Sequence, residues 1–538
     1  MSMSYSKSMS YSKFTSASVQ GVDGCAIAVE VDLASGLPQI HIVGLPDPSV
    51  RESVERVRAA LRNCGFQFPM QRITVNLAPA DIRKEGTAYD LAIAAAILTA
   101  SGQLEERHFE DMLVIGELAL SGELRKVPGV LPMVEEARRL GMTKVLLPAG
   151  NAAEAALIGG MKVYAAQSLT QLAACCRGDL GWKDMLWHGR LEVAKSSDNS
   201  DSGIDAIASN PPLSSEVQLD YVEVLGQHAA KRALAIAAAG RHNLLMSGSP
   251  GTGKTMLIRR LPGILPPMTV QESLEVTKIF SVAGKLPRLD TLITQRPFRT
   301  PHHTISAGGL VGGGSIPRPG EVTLAHRGVL FLDELPEFPR SVLEVLRQPL
   351  EDREVTLARA RAVFRFPASF QLAASMNPCP CGYFGAAHTT QGQPECSCSQ
   401  SAIDRYRSRI SGPMLDRIDL LIEVQRPMSL DSAKAGMSTA DMQQLVQRAA
   451  QAQQERQSMT GVLWNSELSG SSLRRAARLK PEATRLLQQA FDELGISLRA
   501  HDRILKLSRT IADMEGCSAI ETSHVAEAIQ YRRLPGWN

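Results

Sequence analysis

Residues 243–258 read NLLMSGSPGTGKTMLI. An apolar run enters a glycine-rich turn, and a lysine and a threonine open the next apolar run. Gly248, Ser249, Pro250, Gly251, Thr252, Gly253, Lys254 and Thr255 fit G-x-x-x-x-G-K-[ST] in full. Glycines let such a loop wind until successive backbone N–H groups face a chain of phosphates. The lysine then reaches the β- and γ-phosphates and the hydroxyl after it binds Mg²⁺. ATP and Mg²⁺ are therefore the expected ligands.

About 80 residues further on stands GVLFLDELPEF, residues 328–338. An apolar strand, VLFL, delivers Asp333 and Glu334 to its carboxyl end. In a phosphate-loop fold the aspartate supports Mg²⁺, and the adjacent glutamate can polarise an attacking water. QLAASMNPCP (371–380) is a further apolar strand, ending in Asn377. A polar residue there can orient the water; equally, an Asn before Pro378 can simply start a turn. SGPMLDRIDLLIEV (411–424) carries Arg417 and SLRAHDR (497–503) carries Arg499. An arginine from a neighbouring subunit can stabilise a transferring phosphoryl group, and a surface ion pair is the other use for it.

Two further groups of residues have chemistry of their own. Cys379, Cys381, Cys396 and Cys398 form two C-x-C pairs separated by fourteen residues. Four thiolates can close a tetrahedral Zn²⁺ site, with His388 as a substitute ligand; free thiols in a loop are the alternative. REVTLARARAVFRF (353–366) reads as a hairpin with Arg353, Arg359, Arg361 and Arg365. Guanidinium groups on such a hairpin can bind DNA phosphates without reading sequence; a solvated basic hairpin is the alternative. Upstream, residues 295–321 hold six glycines and four prolines together with Arg296, Arg299, His302, His303 and Arg318. That composition suits a flexible loop lining a pore.

These residues need a scaffold of several domains, because 538 residues exceed what one core supports. Hydrophobic residues make up 44% and charged residues 21%, a globular balance. A net charge of +3 is too even to indicate a polyanion partner by itself, so any DNA site has to be local. Nine cysteines, an odd number, fit a reducing cytoplasm. No stretch approaches the roughly 18 apolar residues of a membrane span. MSYSK occurs twice in residues 1–13, which read as a disordered tail. Residues 14–175 alternate strand and helix signals, among them RITVNL (72–77) and the alanine-rich TAYDLAIAAAILTA (87–100). A polar Ser/Pro/Gly-rich linker is expected over 176–218, a phosphate-loop α/β domain over 219–428 and an all-helical part over 429–538.

The order GSPGTGKT, LFLDE, SMNPCPCG, SGPMLDRIDL, SLRAHDR resembles an AAA+ ATPase of the magnesium-chelatase-like branch, and more narrowly the ComM/YifB family, from about residue 14 to the C-terminus. The resemblance implies that Lys254 and Thr255 are Walker A and Asp333 and Glu334 Walker B. It makes Asn377 sensor 1, Arg417 the arginine finger and Arg499 sensor 2. It further implies a homo-hexameric ring with ATP held between subunits and a helical lid at the C-terminus. Residues 295–321 become the helix-2 insert and 353–366 the hairpin before sensor 1. KEGTAYD (84–90) and GELALSGELRKVPGVLP (116–132) resemble the Lon protease domain, so the N-terminal domain is expected to be a Lon-like α+β fold. Where Lon proteases carry a serine and a lysine, this chain has Ala88 and Leu131, and neither can attack a carbonyl or take a proton. Thr87 and Lys126 stand nearby but not in the matching places.

The resulting expectation is an ATP-driven motor on single-stranded or branched DNA, a helicase promoting branch migration in recombination and natural transformation. The alternative is an ATP-driven remodeller of a protein partner, as in a chelatase motor subunit. A protease is disfavoured by Ala88 and Leu131.

Overall fold

The computed structural model describes residues 10–189, 219–288, 290–314, 317–359, 362–385, 395–425, 436–495 and 497–532. They divide into two compact units, Met1–Asn210 with Leu274–Ile293, and Pro211–Ser273 with Thr294–Asn538.

The first unit is built on a seven-stranded mixed sheet. Its order across the sheet is Gln39–Val43, Arg72–Ala78, Asp23–Ala34, Tyr11–Gln20, Met112–Val114, Lys144–Pro148, Lys162–Ala166. Ile73, Val75 and Leu77 alternate onto one face and are fully buried, paired with Leu33, Val31 and Val29 of the next strand. The helix Asp90–Ala100 is buried on every side, as its continuous alanine and branched apolar residues require.

Three boundaries differ from the expectation. Tyr11–Lys13 belong to the first strand instead of the tail, and residues 1–9 lie outside the described residues. The ordered chain runs past 175, through the end of the helix Leu169–Arg177 and the helix Trp182–Met185; within the expected linker, 190–218 lie outside the described residues. The span 219–428 is also not one unit, since Leu274–Ile293 groups with the N-terminal sheet. The reason is local: Leu274 packs on a core formed by residues such as Val130, Leu131 and Val134. The Ser281 hydroxyl donates to the buried Glu154 carboxylate, and Gly129 N–H donates to Ser281 O at 3.2 Å.

The second unit carries a five-stranded, all-parallel sheet ordered Phe298–Arg299, Val329–Leu332, Gln371–Met376, Leu244–Ser247, Leu420–Glu423. Its strands are short and almost wholly apolar, as parallel strands covered on both faces must be. The helix His228–Gly240 packs into the same core as the C-terminal helices Thr439–Thr460 and Leu498–Met514. Small Ala233, Ala237 and Ala238 line that core on the first helix, and Gln453 crosses from the second to donate to Ala239 O at 2.9 Å. The C-terminal part is all helical, completed by Gly470–Ala476, Pro481–Leu494 and Thr522–Gln530. Among the described residues no helix is long and apolar enough to cross a membrane.

Candidate nucleotide site and basic hairpin

Strand register assembles the site. All five strands run the same way, so their carboxyl ends lie along one edge, where ligands of open α/β sheets bind. Ser247 is level with Met376, which brings Gly248 alongside Asn377. Leu332 is level with Ala374, which brings Asp333 alongside Ser375. Residues far apart in sequence thus converge because each lies at the carboxyl end of its strand.

The loop 248–255 then turns tightly. Gly251 and Gly253 take φ of +78° and +89°, open to a glycine and strained for other residues. Gly248 lies against Val424 O, where a Cβ would come within 2.3 Å. Lys254 Nζ donates to Gly248 O at 2.6 Å, Ser249 O at 2.9 Å and Asn377 Oδ1 at 3.3 Å. Burial lowers the Lys254 pKa, while the charges of Asp333 and Glu334 oppose that shift. Thr255 Oγ1 donates to Asp333 Oδ2 at 3.0 Å. A hydroxyl and a carboxylate oxygen in contact, beside a lysine and a glycine loop, are the donor set of a hard cation that carries phosphates. Thr255 and Asp333 are the residues that would hold Mg²⁺.

Glu334 is exposed and takes φ +53°, a left-handed conformation uncommon for a side chain of this size. Its N–H donates to Ser375 Oγ at 3.3 Å and Asp333 Oδ1 at 3.2 Å, and Ser375 Oγ in turn donates to Asp333 Oδ1. The left-handed turn leaves the Glu334 carboxylate outside this hydrogen-bonded cluster. Ser375 is one residue that sequence reasoning missed. Its signal was present, a hydroxyl inside the otherwise apolar run LAASM that is fully buried in the sheet. Gln227 is another: its Nε2 donates to Thr252 O at 3.4 Å and Gln425 O at 2.7 Å, tying the loop to the chain just past the edge strand. Nothing in its local pattern marked it.

The two arginines expected to act across a subunit boundary stand apart from this cluster. Arg417 donates to Arg347 O at 3.1 Å and Pro413 O at 2.7 Å and pairs with Glu351 at 2.5 Å. Arg499 is exposed in the first turn of the helix Leu498–Met514. That helix is fastened by Arg503, whose Nε lies 3.7 Å from Asp419 Oδ1.

The hairpin forms as expected. Strands Glu354–Arg359 and Ala362–Pro367 pair antiparallel, with Thr356 opposite Arg365 and Arg359 opposite Ala362. Val355 and Phe366 bury one face, and Arg365 is exposed with its Nε 3.7 Å from Glu354. Arg361 lies outside the described residues. Arg353 sits at the foot with φ +57°, paired with Glu467 at 2.8 Å, so it is separated from the other end of the hairpin.

The glycine-rich segment 295–321 is more structured than its composition suggests. Arg296 is buried and donates to Pro266 O, Pro267 O, Arg327 O and Glu272. Arg299 forms a two-pronged pair with Glu321 at 2.6 and 2.9 Å. These two arginines are spent on holding the segment, which corrects the reading of them as pore-lining groups; the helix Ala307–Val311 and the pairing of Gly312–Gly313 with Arg318–Pro319 order more of its described residues. Arg318 is exposed.

The four cysteines come together. All four Sγ atoms lie within 4.8 Å of one another, with Cys379–Cys381 at 3.3 Å, Cys379–Cys396 at 3.7 Å and Cys381–Cys396 at 3.6 Å. Such a set could hold a metal ion. His388 lies outside the described residues.

In the first unit, Ala88 and Leu131 are both buried in one apolar cluster. Leu131 N–H donates to Glu154 Oε1 at 3.1 Å. Thr87 Oγ1 donates to Glu117, not to any lysine.

Family models match three stretches of the chain. The model described as magnesium chelatase, subunit ChlI, matches residues 220–431, that of subunit ChlI of Mg-chelatase matches 29–151, and that of the ChlI C-terminal part matches 436–532. Competence protein ComM of Haemophilus influenzae is 43% identical over 517 residues, 96% of either chain. The uncharacterised protein YifB of Escherichia coli is 41% identical over 517 residues, 96% of this chain and 95% of its own. DNA repair protein RadA of Haemophilus influenzae is 29% identical over 149 residues, 25% of this chain and 31% of its own. The chain belongs to the magnesium-chelatase ChlI family, in its ComM/YifB branch. Its second unit is an AAA+ ATPase-like module with a parallel sheet and a helical C-terminal part.

Proposed function

We propose that this protein is an ATPase that couples hydrolysis to movement along DNA, a helicase promoting branch migration in recombination and natural transformation. The observation that carries the ATPase is the convergence of Lys254, Thr255, Asp333 and Asn377 at one sheet edge. Lys254 and the loop amides would hold the β- and γ-phosphates, and Thr255 with Asp333 would hold Mg²⁺. When bound, Mg²⁺ neutralises phosphate charge. Glu334 takes the proton of the attacking water and Asn377 orients that water. Arg417 and Arg499 act on the phosphates of a neighbouring subunit in a homo-hexamer. Within one chain Arg417 is held by Glu351, an exposed partner from which a neighbouring nucleotide can draw it.

DNA as the substrate is supported by the hairpin that carries Arg359, Arg361 and the exposed Arg365, and by the kinship with a competence protein. The N-terminal unit is a Lon-like scaffold without peptidase chemistry, a reading supported by buried Ala88 and Leu131. The four thiols would hold Zn²⁺, and the protein works in the cytoplasm.

The test is the steady-state ATPase rate of the full chain with no DNA and with single-stranded, duplex or branched DNA, at one salt concentration. A rise with DNA that disappears in Glu334→Gln supports the motor, and the strongest stimulator identifies the substrate. A rate indifferent to every DNA favours the second reading, a remodeller of a protein partner. The capture of Arg353, Arg296 and Arg299 in ion pairs favours that second reading by reducing the free basic surface.

A further inference from the structure

Immediately beyond Asn377 the chain enters the cysteine cluster, and the cluster rests on the phosphate loop. Cys379 is fully buried two residues after Asn377. Gly382 N–H donates to Cys379 O at 3.0 Å and closes a turn in which Gly382 takes φ +88°. A Cβ on Gly382 would lie 2.6 and 2.7 Å from Cδ and Cγ of Pro250, so the turn lies in direct contact with the third residue of the phosphate loop. From the other side, Cys396 and Cys398 lead through Ser399 into the helix Gln400–Arg407. Arg407 reaches back from that helix, donating to Pro378 O at 3.2 Å and covering the Phe384 ring at 5.1 Å. Phe384 N–H donates to Cys379 Sγ at 3.3 Å, the kind of amide-to-sulfur contact that orients a metal-binding thiolate.

The sulfur spacing decides between a metal and a disulfide. A disulfide needs sulfurs about 2.05 Å apart. Four thiolates around Zn²⁺ at about 2.3 Å sit roughly 3.8 Å apart along the tetrahedral edges. Three of the six sulfur pairs lie 3.3 to 3.7 Å apart and all lie within 4.8 Å, too far for a disulfide and close to the tetrahedral edge. A closed Zn²⁺ site supplies folding energy of its own.

Resting on the reading that these thiols hold Zn²⁺, we propose that the ion is an integral support of the nucleotide site. By fastening 379–382 to the start of the helix Gln400–Arg407, it sets Asn377 against Lys254 and Gly382 against Pro250. Metal occupancy then controls nucleotide affinity and turnover through the placement of Asn377 and Pro250.

The full chain is purified under reducing conditions and its zinc is counted per polypeptide. Affinity for a fluorescent ATP analogue and ATP turnover are measured before and after zinc removal with a chelator that spares Mg²⁺, then after zinc is restored. One zinc per chain, a loss of at least tenfold in affinity or turnover on removal, and recovery on re-addition are expected. Cys396→Ser with Cys398→Ser should reproduce the loss without rescue. Lys254→Ala should lose nucleotide yet keep its zinc, which separates failure of the ATP site from failure of the metal site. Zinc removed with affinity and turnover unchanged overturns the inference. A chain that neither carries nor takes up zinc overturns the metal reading beneath it. Should the double variant fail to fold, the chelation arm still decides.

Discussion

Thr255 Oγ1 donates a 3.0 Å hydrogen bond to Asp333 Oδ2 across 78 positions of sequence. Two parallel strands separated by a third bring the pair together at the sheet edge. Thr255 and Asp333 are the two residues that would hold Mg²⁺ there, where it would neutralise phosphate charge. Thr255→Ala should weaken binding of Mg²⁺-ATP by about tenfold or more, on the scale of one charge-assisted hydrogen bond. Titration with and without Mg²⁺ checks it: the variant should bind metal-free nucleotide almost as well as the parent. An equal loss in both conditions would move the metal site elsewhere.

Glu334 invites a different outcome. Its carboxylate accepts none of the bonds that tie Thr255, Ser375 and Asp333 together, and its turn is held by its own backbone N–H. Glu334→Gln keeps the shape and removes the base. Nucleotide affinity should change less than about threefold, while turnover falls by about 10²–10⁴, the usual worth of a positioned base. Single-turnover hydrolysis beside equilibrium binding reads both quantities. If affinity collapses with turnover, Glu334 is a binding residue.

On the hairpin, Arg359→Ala with Arg361→Ala should lower affinity for single-stranded and branched DNA alike. The slope of log K against log salt should fall by about 1 for each phosphate that the variant no longer neutralises. Arg353→Ala is the contrasting variant. Because its guanidinium pairs with Glu467 at the foot, it should leave the salt slope unchanged and lower thermal stability instead. Fluorescence anisotropy across a series of salt concentrations separates the two effects.

Local pattern marked the residues that converge at the carboxyl edge of the sheet, because short motifs at strand ends fix them. Glycines, a lysine and an acidic pair after VLFL need no long-range knowledge. The apolar strand around Ile73, Val75 and Leu77 and the all-buried helix Asp90–Ala100 were legible for the same reason, since periodicity reports burial directly. What escaped depended on tertiary partners. Arg296 and Arg299 share their composition with a flexible basic loop, and only Glu272 and Glu321, which the fold brings beside them, turn them into structural ties. The regrouping of Leu274–Ile293 rests on Ser281 meeting Glu154, a pair 127 positions apart. Gln227 contributes one amide to the phosphate loop, and no spacing rule selects it.

Asp419 supplies the last prediction. It precedes the edge strand Leu420–Glu423 and is buried. Its Oδ2 accepts from Asn243 N–H at 3.0 Å, at the entrance of the strand that ends in the phosphate loop, and lies 3.6 Å from His242 Nδ1. Arg503, one turn after Arg499, stands on its other oxygen at 3.7 Å. Burial by itself would raise the Asp419 carboxyl, but the imidazole of His242 beside it and the charges of Arg503 and Lys506 outweigh burial, holding the group down at about 2. An unfolded aspartate titrates at about 3.9. A carboxyl lowered by folding adds stability that is complete above the unfolded value and is lost as pH falls toward the folded one. Asp419→Asn should therefore destabilise the second unit by about 2 kcal/mol at pH 7, and the gap should close between about pH 4 and pH 2. Denaturant unfolding of parent and variant across that range measures the closure. Because the same carboxylate fastens the helix that presents Arg499, the variant should also lose turnover at neutral pH while keeping its affinity for nucleotide within about threefold. A stability gap that persists unchanged to the acid end of that range would mean that Asp419 acts by packing and not by charge.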